Sequence, residues 1–309
     1  MLKIIKRITL PVLLFSMIYS CEKYEDYITD NIPTVYFGAQ KPLRTLVARD
    51  TDMQFKFAAV LAGVRENNNE EWVTYVIDPD LLADTAIVGD NVFQLMPEEF
   101  YSLSNYERMI ISPGHILGEI VVTINHDLFT SDPDALHNTY AFPLRITDTS
   151  ADRILNGDDD TPEKDYTIIV VKYISQYSGY YYRRGVQYTL DESGNHTDTV
   201  TFTDMSLNKS DVWYLETHGT HQVETKTTPH IASSSPRNFL DIVIGDNNAV
   251  TIGSALEGIT VDANSTSLDA NERIFYLDYV IEKEGVEYHV VDTLIQRQDP
   301  ELDLRFEQW

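Results

Sequence analysis

The feature that most constrains the fold of this chain is a series of short apolar runs separated by turn-forming clusters. In the first half, these runs cover residues 34–37, 53–57, 72–77, 120–124, 140–146 and 166–173. They are rich in Val, Ile, Tyr, Phe and Thr, which favour extended backbone, and turn-forming residues fill the intervals. Strands of this length with frequent turns are typical of a β-sandwich, so we predict one over residues 34–174.

The pattern of the second half also predicts an all-β structure, but its strand-like runs are longer. They cover residues 180–190, 197–202, 212–217, 238–244, 249–252, 274–282 and 286–295. In one of these runs Phe275, Leu277, Tyr279 and Ile281 occupy alternate positions, as on one face of a sheet or barrel wall. We therefore predict a lipocalin-like β-barrel, or a small sandwich, over residues 179–309.

The N-terminus has the order of segments found in a secretory leader. Basic residues within the first seven positions precede an apolar segment, residues 8–19, and the small residue Ser20. A membrane-spanning helix needs about 20 apolar residues, so this segment is short for a span. We predict a signal peptide over residues 1–20 and a polar tether over residues 21–33.

Cys21 is the only cysteine, and it follows the leader directly. The segment Ile18-Tyr19-Ser20-Cys21 resembles the lipobox of bacterial lipoproteins, and residues 22–26 resemble the Lys-then-acidic surface-export signal of the Bacteroidota. The resemblance implies acylation at Cys21 and a lipid anchor in the outer membrane, with the protein facing the cell exterior. The alternative is a plain secreted protein with a chance cysteine.

The composition excludes some partners. A formal net charge of −26 repels phosphate backbones, so we expect no nucleic-acid partner. The same charge disfavours sulfated or uronate-rich ligands. With Cys21 as the only cysteine, no internal disulfide can form, and no motif in the sequence indicates a cofactor.

Two sets of segments carry a further resemblance. Residues 35–38, 93–101, 110–114 and 140–146 resemble an N-terminal, immunoglobulin-like β-sandwich family of Bacteroidota surface lipoproteins. That family also occurs in front of family-18 endo-β-N-acetylglucosaminidases. Residues 179–181, 212–217 and 274–280 resemble the lipocalin-like module that often follows this sandwich.

The resemblance implies a surface glycan-binding lipoprotein of a polysaccharide-utilisation system. Such a protein captures an oligosaccharide or polysaccharide for a starch-utilisation-type outer-membrane importer. The sequence contains no Gly-x-Ser-x-Gly elbow and no thiol besides Cys21, so we expect no enzymatic activity. The alternatives are a structural or adhesive surface lipoprotein, a lipocalin-like carrier of a small hydrophobic ligand and, third, a hydrolase.

Sugar binding calls for exposed aromatic rings, and five are candidates: Tyr181, Tyr180, Tyr182, Trp213 and Trp309. Strand alternation places Tyr180 and Tyr182 on one face and Tyr181 on the other, and we expect Tyr181→Ala to weaken glycan retention. Trp213 is predicted to lie in the core. Trp309 is expected to pack on the second domain or to be free.

The remaining tryptophan, Trp72, shares a strand face with Thr74 and Val76, and is predicted to lie in the core.

Metal ligation is indicated only weakly. Asp158, Asp159 and Asp160 form an acidic loop that could bind calcium, but their spacing is not that of an EF-hand, and a solvated turn is the preferred interpretation. His218 and His221 lie close together without a third ligand in the local sequence, so they are interpreted as surface residues.

Overall fold

A computed structural model describes residues 32–49, 53–157, 161–204, 206–225, 240–254, 259–283 and 285–309. Its strands are β1 (Thr34–Phe37), β2 (Pro42–Ala48), β3 (Met53–Ala62), β4 (Glu71–Ile77), β5 (Gln94–Leu95), β6 (Tyr101–Leu103), β7 (Arg108–Ile111), β8 (Leu117–Ile124), β9 (Tyr140–Thr149), β10 (Arg153–Ile154), β11 (Tyr166–Ser175), β12 (Gly179–Leu190), β13 (His196–Thr201), β14 (Asp211–Gly219), β15 (Gln222–Thr225), β16 (Leu240–Ile244), β17 (Val250–Ser254), β18 (Ile259–Asp269), β19 (Ile274–Lys283), β20 (Val286–Gln296) and β21 (Glu307–Gln308). Short α-helices are α1 (Thr85–Val88), α2 (His126–Ser131) and α3 (Pro300–Asp303). The predicted all-β fold class is confirmed.

The first domain is a sandwich of two sheets. One has the strand order β10-β1-β3-β8-β6, and the other has the order β21-β2-β11-β9-β4-β7, with β5 added beside β9. Strand β3 alternates buried and exposed side chains, so Phe55 and Phe57 face the opposite sheet. Phe57 packs there against Tyr75 and Phe142, with ring centroids 5.3 and 6.0 Å away. Burying this apolar surface between the sheets stabilises the sandwich.

The centre of the second sheet is covered on both faces. Outside the sandwich core, Ile168 and Val170 of β11 pack with Leu81, Val88 and neighbouring apolar residues under α1. Because both faces are buried, the stretch 168–171 is continuously apolar instead of alternating.

The second domain is a nearly closed barrel. Its strands follow the order β17-β16-β15-β14-β12-β20-β19-β18, and β13 pairs with the far half of β12. A bridge between Ala249 and Ser267 brings the two ends of the sheet together. The alternation predicted in β19 is confirmed, because Phe275 and Tyr279 point inward and are fully buried.

An ion pair lies inside this barrel. Arg183 Nε donates to Asp292 Oδ1 at 2.8 Å, and both side chains are completely buried. The Arg183 guanidinium carbon lies 3.9 Å from the ring centroid of Phe202 and 4.4 Å from that of Trp213. Burial raises the pKa of Asp292 against the opposing effect of Arg183. Arg183 therefore belongs to the barrel interior.

Several contacts join the two domains. At the end of β11, the Ser175 Oγ hydroxyl donates to the carbonyl of Thr220 at 2.7 Å. At the other end of the barrel sequence, β21 returns to pair with β2. Trp309 follows it, donating Nε1–H to the carbonyl of Ile168 at 2.7 Å and packing on Phe93 at a centroid distance of 4.7 Å. Trp309 therefore packs on the first domain, and not on the second domain or free in solvent as predicted.

Asp299 links three parts of the chain. One carboxylate oxygen accepts from Arg49, just after β2, and the other lies 2.8 Å from Arg273 Nη2 in the turn before β19. Oδ1 also accepts the backbone N–H of Glu301 at 2.9 Å, which caps α3. Burial opposes ionisation of Asp299, but the N–H of Glu301 and the two guanidinium groups outweigh it, so its pKa lies below the ordinary value.

We expect Asp299→Asn to lower the free energy of unfolding by about 1 kcal/mol at pH 7. A carboxylate whose pKa is depressed by folding stabilises the native state above its unfolded pKa of about 3.9, and this contribution is lost as pH falls through the folded pKa. Urea unfolding at pH 7 and at pH 3 should therefore show a gap in the free energy of unfolding between wild type and variant that is smaller at the lower pH. An equal gap at both values would contradict the electrostatic account, because Asn retains the capping oxygen.

Candidate functional site

A cleft of about 340 Å³ lies where the two domains meet. Three parts of the chain form its walls: strands β2 and β11 of the sandwich, strands β12 and β14 of the barrel, and the returning segment around α3. The lining residues are Thr45, Lys172, Ile174, Ser178, Gly179, Tyr180, Tyr214, Pro300, Asp303, Leu304 and Glu307. Clefts at domain junctions are common positions for ligand sites.

Two tyrosine rings stand side by side in this cleft. Tyr180 and Tyr214 are directly opposite each other on β12 and β14, with ring centroids 5.0 Å apart and planes inclined by 59°. Both point out of the barrel because their chain neighbours Tyr181 and Trp213 point into it. They remain 46% and 44% exposed, so each ring offers surface to a ligand. The rings are tilted and do not form one flat platform.

The aromatic surface continues beyond the cleft along β12. Tyr182 lies on the same face as Tyr180, and the guanidinium carbon of Arg297 lies 5.2 Å from the Tyr182 ring centroid and 5.9 Å from that of Tyr180. The backbone N–H of Arg297 donates to the carbonyl of Tyr180 at 2.9 Å. These contacts place a cation against the two rings and hold them in position.

The opposite wall of the cleft supplies polar groups. Lys172 and Thr45 are paired across β11 and β2, so their side chains lie side by side on the same face. Asp303 and Glu307 contribute carboxylates from the returning segment. The cleft thus combines aromatic rings with an ammonium, a hydroxyl and carboxylates, which can exchange hydrogen bonds with a polyhydroxyl ligand.

The structure places the predicted aromatic residues in different environments. Tyr180 and Tyr182 face outward, and Tyr180 lines the cleft. Tyr181 is 1% exposed, and its hydroxyl donates to the carbonyl of Tyr177 at 2.9 Å. Burial raises the pKa of the Tyr181 phenol. Tyr181 and the equally buried Trp213 therefore cannot contact a ligand in the cleft, which corrects both as ligand candidates and removes the basis for an effect of Tyr181→Ala through direct contact.

Sequence reasoning passed over Tyr214 as a site residue and misplaced Trp72. Val73 and Tyr75 face the sandwich core, so Trp72 lies on the outer face of β4, half-buried, with Arg108 5.7 Å from its ring centroid. Tyr214 could have been found from the period-two rule, because it lies between the apolar residues Trp213 and Leu215, which are both buried.

Among the other predicted sites, the two histidines that the structure describes do not line the cleft. Cys21, Asp158, Asp159 and Asp160 lie outside the described residues. His218 and His221 are exposed, and His218 Nε2 lies 3.2 Å from a carboxylate oxygen of Glu224. Across the described ranges, no group of three or more His, Cys, Asp or Glu side chains is placed to hold a metal ion. In the same ranges, no helix has the length and apolar character to cross a membrane.

Comparison with known proteins supports the fold. A family model described only as a "-like" N-terminal domain matches residues 28–153, less than half of the chain. A solved structure of a Bacteroides ovatus protein of unknown function is similar, with a TM-score of 0.71 and 20% identity over 86% of this chain and 95% of that one. At this identity the likeness shows a shared fold alone. No curated protein matches the chain.

Two further solved structures are more distant. An auxiliary nutrient binding protein from Bacteroides thetaiotaomicron has a TM-score of 0.38 and 18% identity, over 92% of this chain and 98% of that one. A putative carbohydrate binding protein from Bacteroides ovatus has a TM-score of 0.33 and 14% identity, over 86% and 99%. Scores this low support no argument about this chain. The chain therefore shares its fold with the Bacteroides ovatus protein of unknown function, and residues 28–153 match the N-terminal-domain family model.

Proposed function

We propose that the protein is a non-catalytic glycan-binding lipoprotein, and that the cleft between its domains is the binding site. The observation that carries the proposal is the pair of exposed rings, Tyr180 and Tyr214, beside the polar groups of the cleft. The apolar C–H face of a pyranose stacks on such rings, while its hydroxyls need donors and acceptors nearby.

The charge of the site supports a neutral glycan. Asp303 and Glu307 line the cleft with only Lys172 as a cation among its lining residues, and the whole chain carries a formal charge of −26. A sulfated or uronate-rich chain would meet electrostatic repulsion on approach. A neutral oligosaccharide meets none, and carboxylates are strong acceptors for its hydroxyl groups.

The proposed location of the protein at the cell surface rests on the N-terminal leader and Cys21. A lipid at Cys21 would hold the protein at the outer membrane, and capture at the cleft would concentrate glycan beside a starch-utilisation-type importer. Each cleft would bind its sugar weakly. Retention of a polysaccharide would therefore depend on several anchored copies of the protein binding repeating units of the same polymer.

The interior of the barrel argues against the carrier of a small hydrophobic ligand. Large side chains fill it, including Tyr181, Trp213, Phe275 and Tyr279, all at most 1% exposed. The buried Arg183–Asp292 pair adds charge to the same interior. Within the part of the barrel that the structure describes, a space filled in this way is a packed core without room for a lipid-like ligand.

Affinity electrophoresis of the mature chain tests the proposal. Native gels containing neutral polysaccharides (starch, mannan, xylan and mixed-linkage glucan) should retard the protein in at least one case, and gels containing polygalacturonate should not. No retardation in any neutral gel would favour the structural or adhesive alternative. Release of reducing ends from the retarding polysaccharide would contradict a non-catalytic role and support a hydrolase.

A further inference from the structure

Two histidines meet on the outer face of the barrel, far along β12 from the cleft. His196 begins β13 and His289 lies in β20, and both sit beside Tyr188 of β12. His196 Nε2 lies 3.2 Å from His289 Nδ1. Tyr188 is eight residues from Tyr180 along one strand, which corresponds to roughly 26 Å. This pair is therefore separate from the proposed glycan site.

Hydrogen bonds define which nitrogen of His289 is free. His289 Nε2 lies 2.8 Å from Asp278 Oδ1, and the Asn264 amide donates to the same oxygen at 3.0 Å. An ionised carboxylate only accepts hydrogen bonds, so Nε2 of His289 carries the proton. Nδ1 then presents its lone pair toward His196. Metal-binding histidines commonly have this arrangement, in which a carboxylate orients the ring through its second nitrogen.

The separation of the rings also suits a shared ion. Two imidazole nitrogens that bind one metal ion at about 2.0–2.1 Å lie roughly 2.9 Å apart in neighbouring positions of a tetragonal ion and roughly 3.4 Å apart on a tetrahedral ion, and the 3.2 Å between His196 and His289 falls between these values. The Tyr188 ring stacks on His196 with a centroid distance of 3.9 Å and an interplanar angle of 12°, which restricts the orientation of that imidazole. Both ligands are thus oriented by neighbours before any ion arrives.

We propose that His196 and His289 bind one divalent transition-metal ion, with Asp278 as the positioning residue. Imidazole ligands suit Cu²⁺, Ni²⁺ and Zn²⁺, and the general order of stability places Cu²⁺ first. The formal charge of −26 raises the local concentration of cations around the protein. Water fills the remaining coordination positions, and the ion ties the hairpin of β12 and β13 to the barrel wall.

Isothermal titration of the untagged mature chain with CuCl₂, NiCl₂ and ZnCl₂ at pH 7.5 tests this. Wild type should bind one Cu²⁺ per chain, more tightly than Ni²⁺ or Zn²⁺, and the electron paramagnetic resonance spectrum should show nitrogen ligands. His196→Ala and His289→Ala should each remove this saturable binding. Asp278→Asn should weaken it by about 10- to 100-fold, because the carboxylate orients His289.

His218→Ala is the matched control, since His218 is exposed and pairs with Glu224 elsewhere on the barrel. It should bind Cu²⁺ like wild type, and circular dichroism should confirm that every variant is folded. The proposal fails if wild type takes up no Cu²⁺ at micromolar concentrations, which would mean that the two rings only share a hydrogen bond. It also fails if both histidine variants bind as tightly as wild type.

Discussion

Replacing Asp292 with Ala is expected to lower the free energy of unfolding by about 3–5 kcal/mol, because it leaves a buried guanidinium without its counter-charge. Arg183 and Asp292 are both completely inaccessible in the barrel interior, and Asp292 accepts from Arg183 at 2.8 Å and from the Tyr279 hydroxyl at 3.3 Å. Within the described residues, the two terminal nitrogens of Arg183 make no hydrogen bond. The Asp292 carboxylate is therefore the main group that stabilises the buried guanidinium of Arg183. Urea unfolding at pH 7, followed by far-ultraviolet circular dichroism, measures the loss.

Two further variants distinguish the loss of the counter-charge of Arg183 from a general loss of packing. The double variant Arg183→Met with Asp292→Leu removes both charges at similar volume, and it should recover most of the stability lost in Asp292→Ala. Asp262→Ala removes an exposed carboxylate from β18 and should change the free energy of unfolding by no more than about 0.5 kcal/mol. If the double variant is no more stable than Asp292→Ala, packing and not the unpaired charge dominates.

The second large effect is expected at the cleft and depends on the proposed function. Each of Tyr180→Ala and Tyr214→Ala should weaken binding of the retarding glycan by about 10- to 100-fold, since covering one aromatic side chain contributes roughly 1.5–3 kcal/mol. The double variant should migrate as in a gel without polysaccharide. Both side chains are nearly half exposed and outside the barrel core, so the variants should unfold at concentrations of urea close to that of wild type.

Tyr106→Ala is the matched control for this experiment. Tyr106 is 62% exposed in the loop between β6 and β7, and β7 is at the opposite edge of its sheet from β21 and β2. Its removal should leave the retardation unchanged. Loss of retardation in Tyr106→Ala, or full retardation in the Tyr180→Ala, Tyr214→Ala double variant, would mean that the glycan binds outside the cleft.

Periodicity predicted the strands well, but it predicted their orientation only where one face was purely apolar. In β19, Phe275 and Tyr279 lie on a wholly apolar face, whereas the other face carries Asp278 and Glu282, so the buried face was evident. In β12 both faces carry aromatic rings and arginines, and the buried face proved to be the one with Tyr181 and Arg183. Sequence alone could not show this, because the partner that makes burial of Arg183 tolerable, Asp292, lies on another strand.

The cleft could not be predicted from sequence for a different reason. Its walls come from β2, β11, β12, β14 and the segment after β20, so no local pattern contains it. Trp309 illustrates the same limit, because it packs on Ile168 and Phe93, far away in the sequence. Alternation placed Tyr180 and Tyr181 on opposite faces, but only the tertiary structure shows that the face with Tyr180 is outward and faces another domain.

The return of β21 to β2 has a mechanical consequence. With one attachment at the end of β11 and a second at β21, the barrel and the sandwich form a closed loop of connections. A long polymer pulling on the barrel would load both attachments in parallel, so neither alone would bear the whole force. The barrel is also denied free rotation about a single hinge, so the two walls of the cleft keep a constant orientation relative to each other.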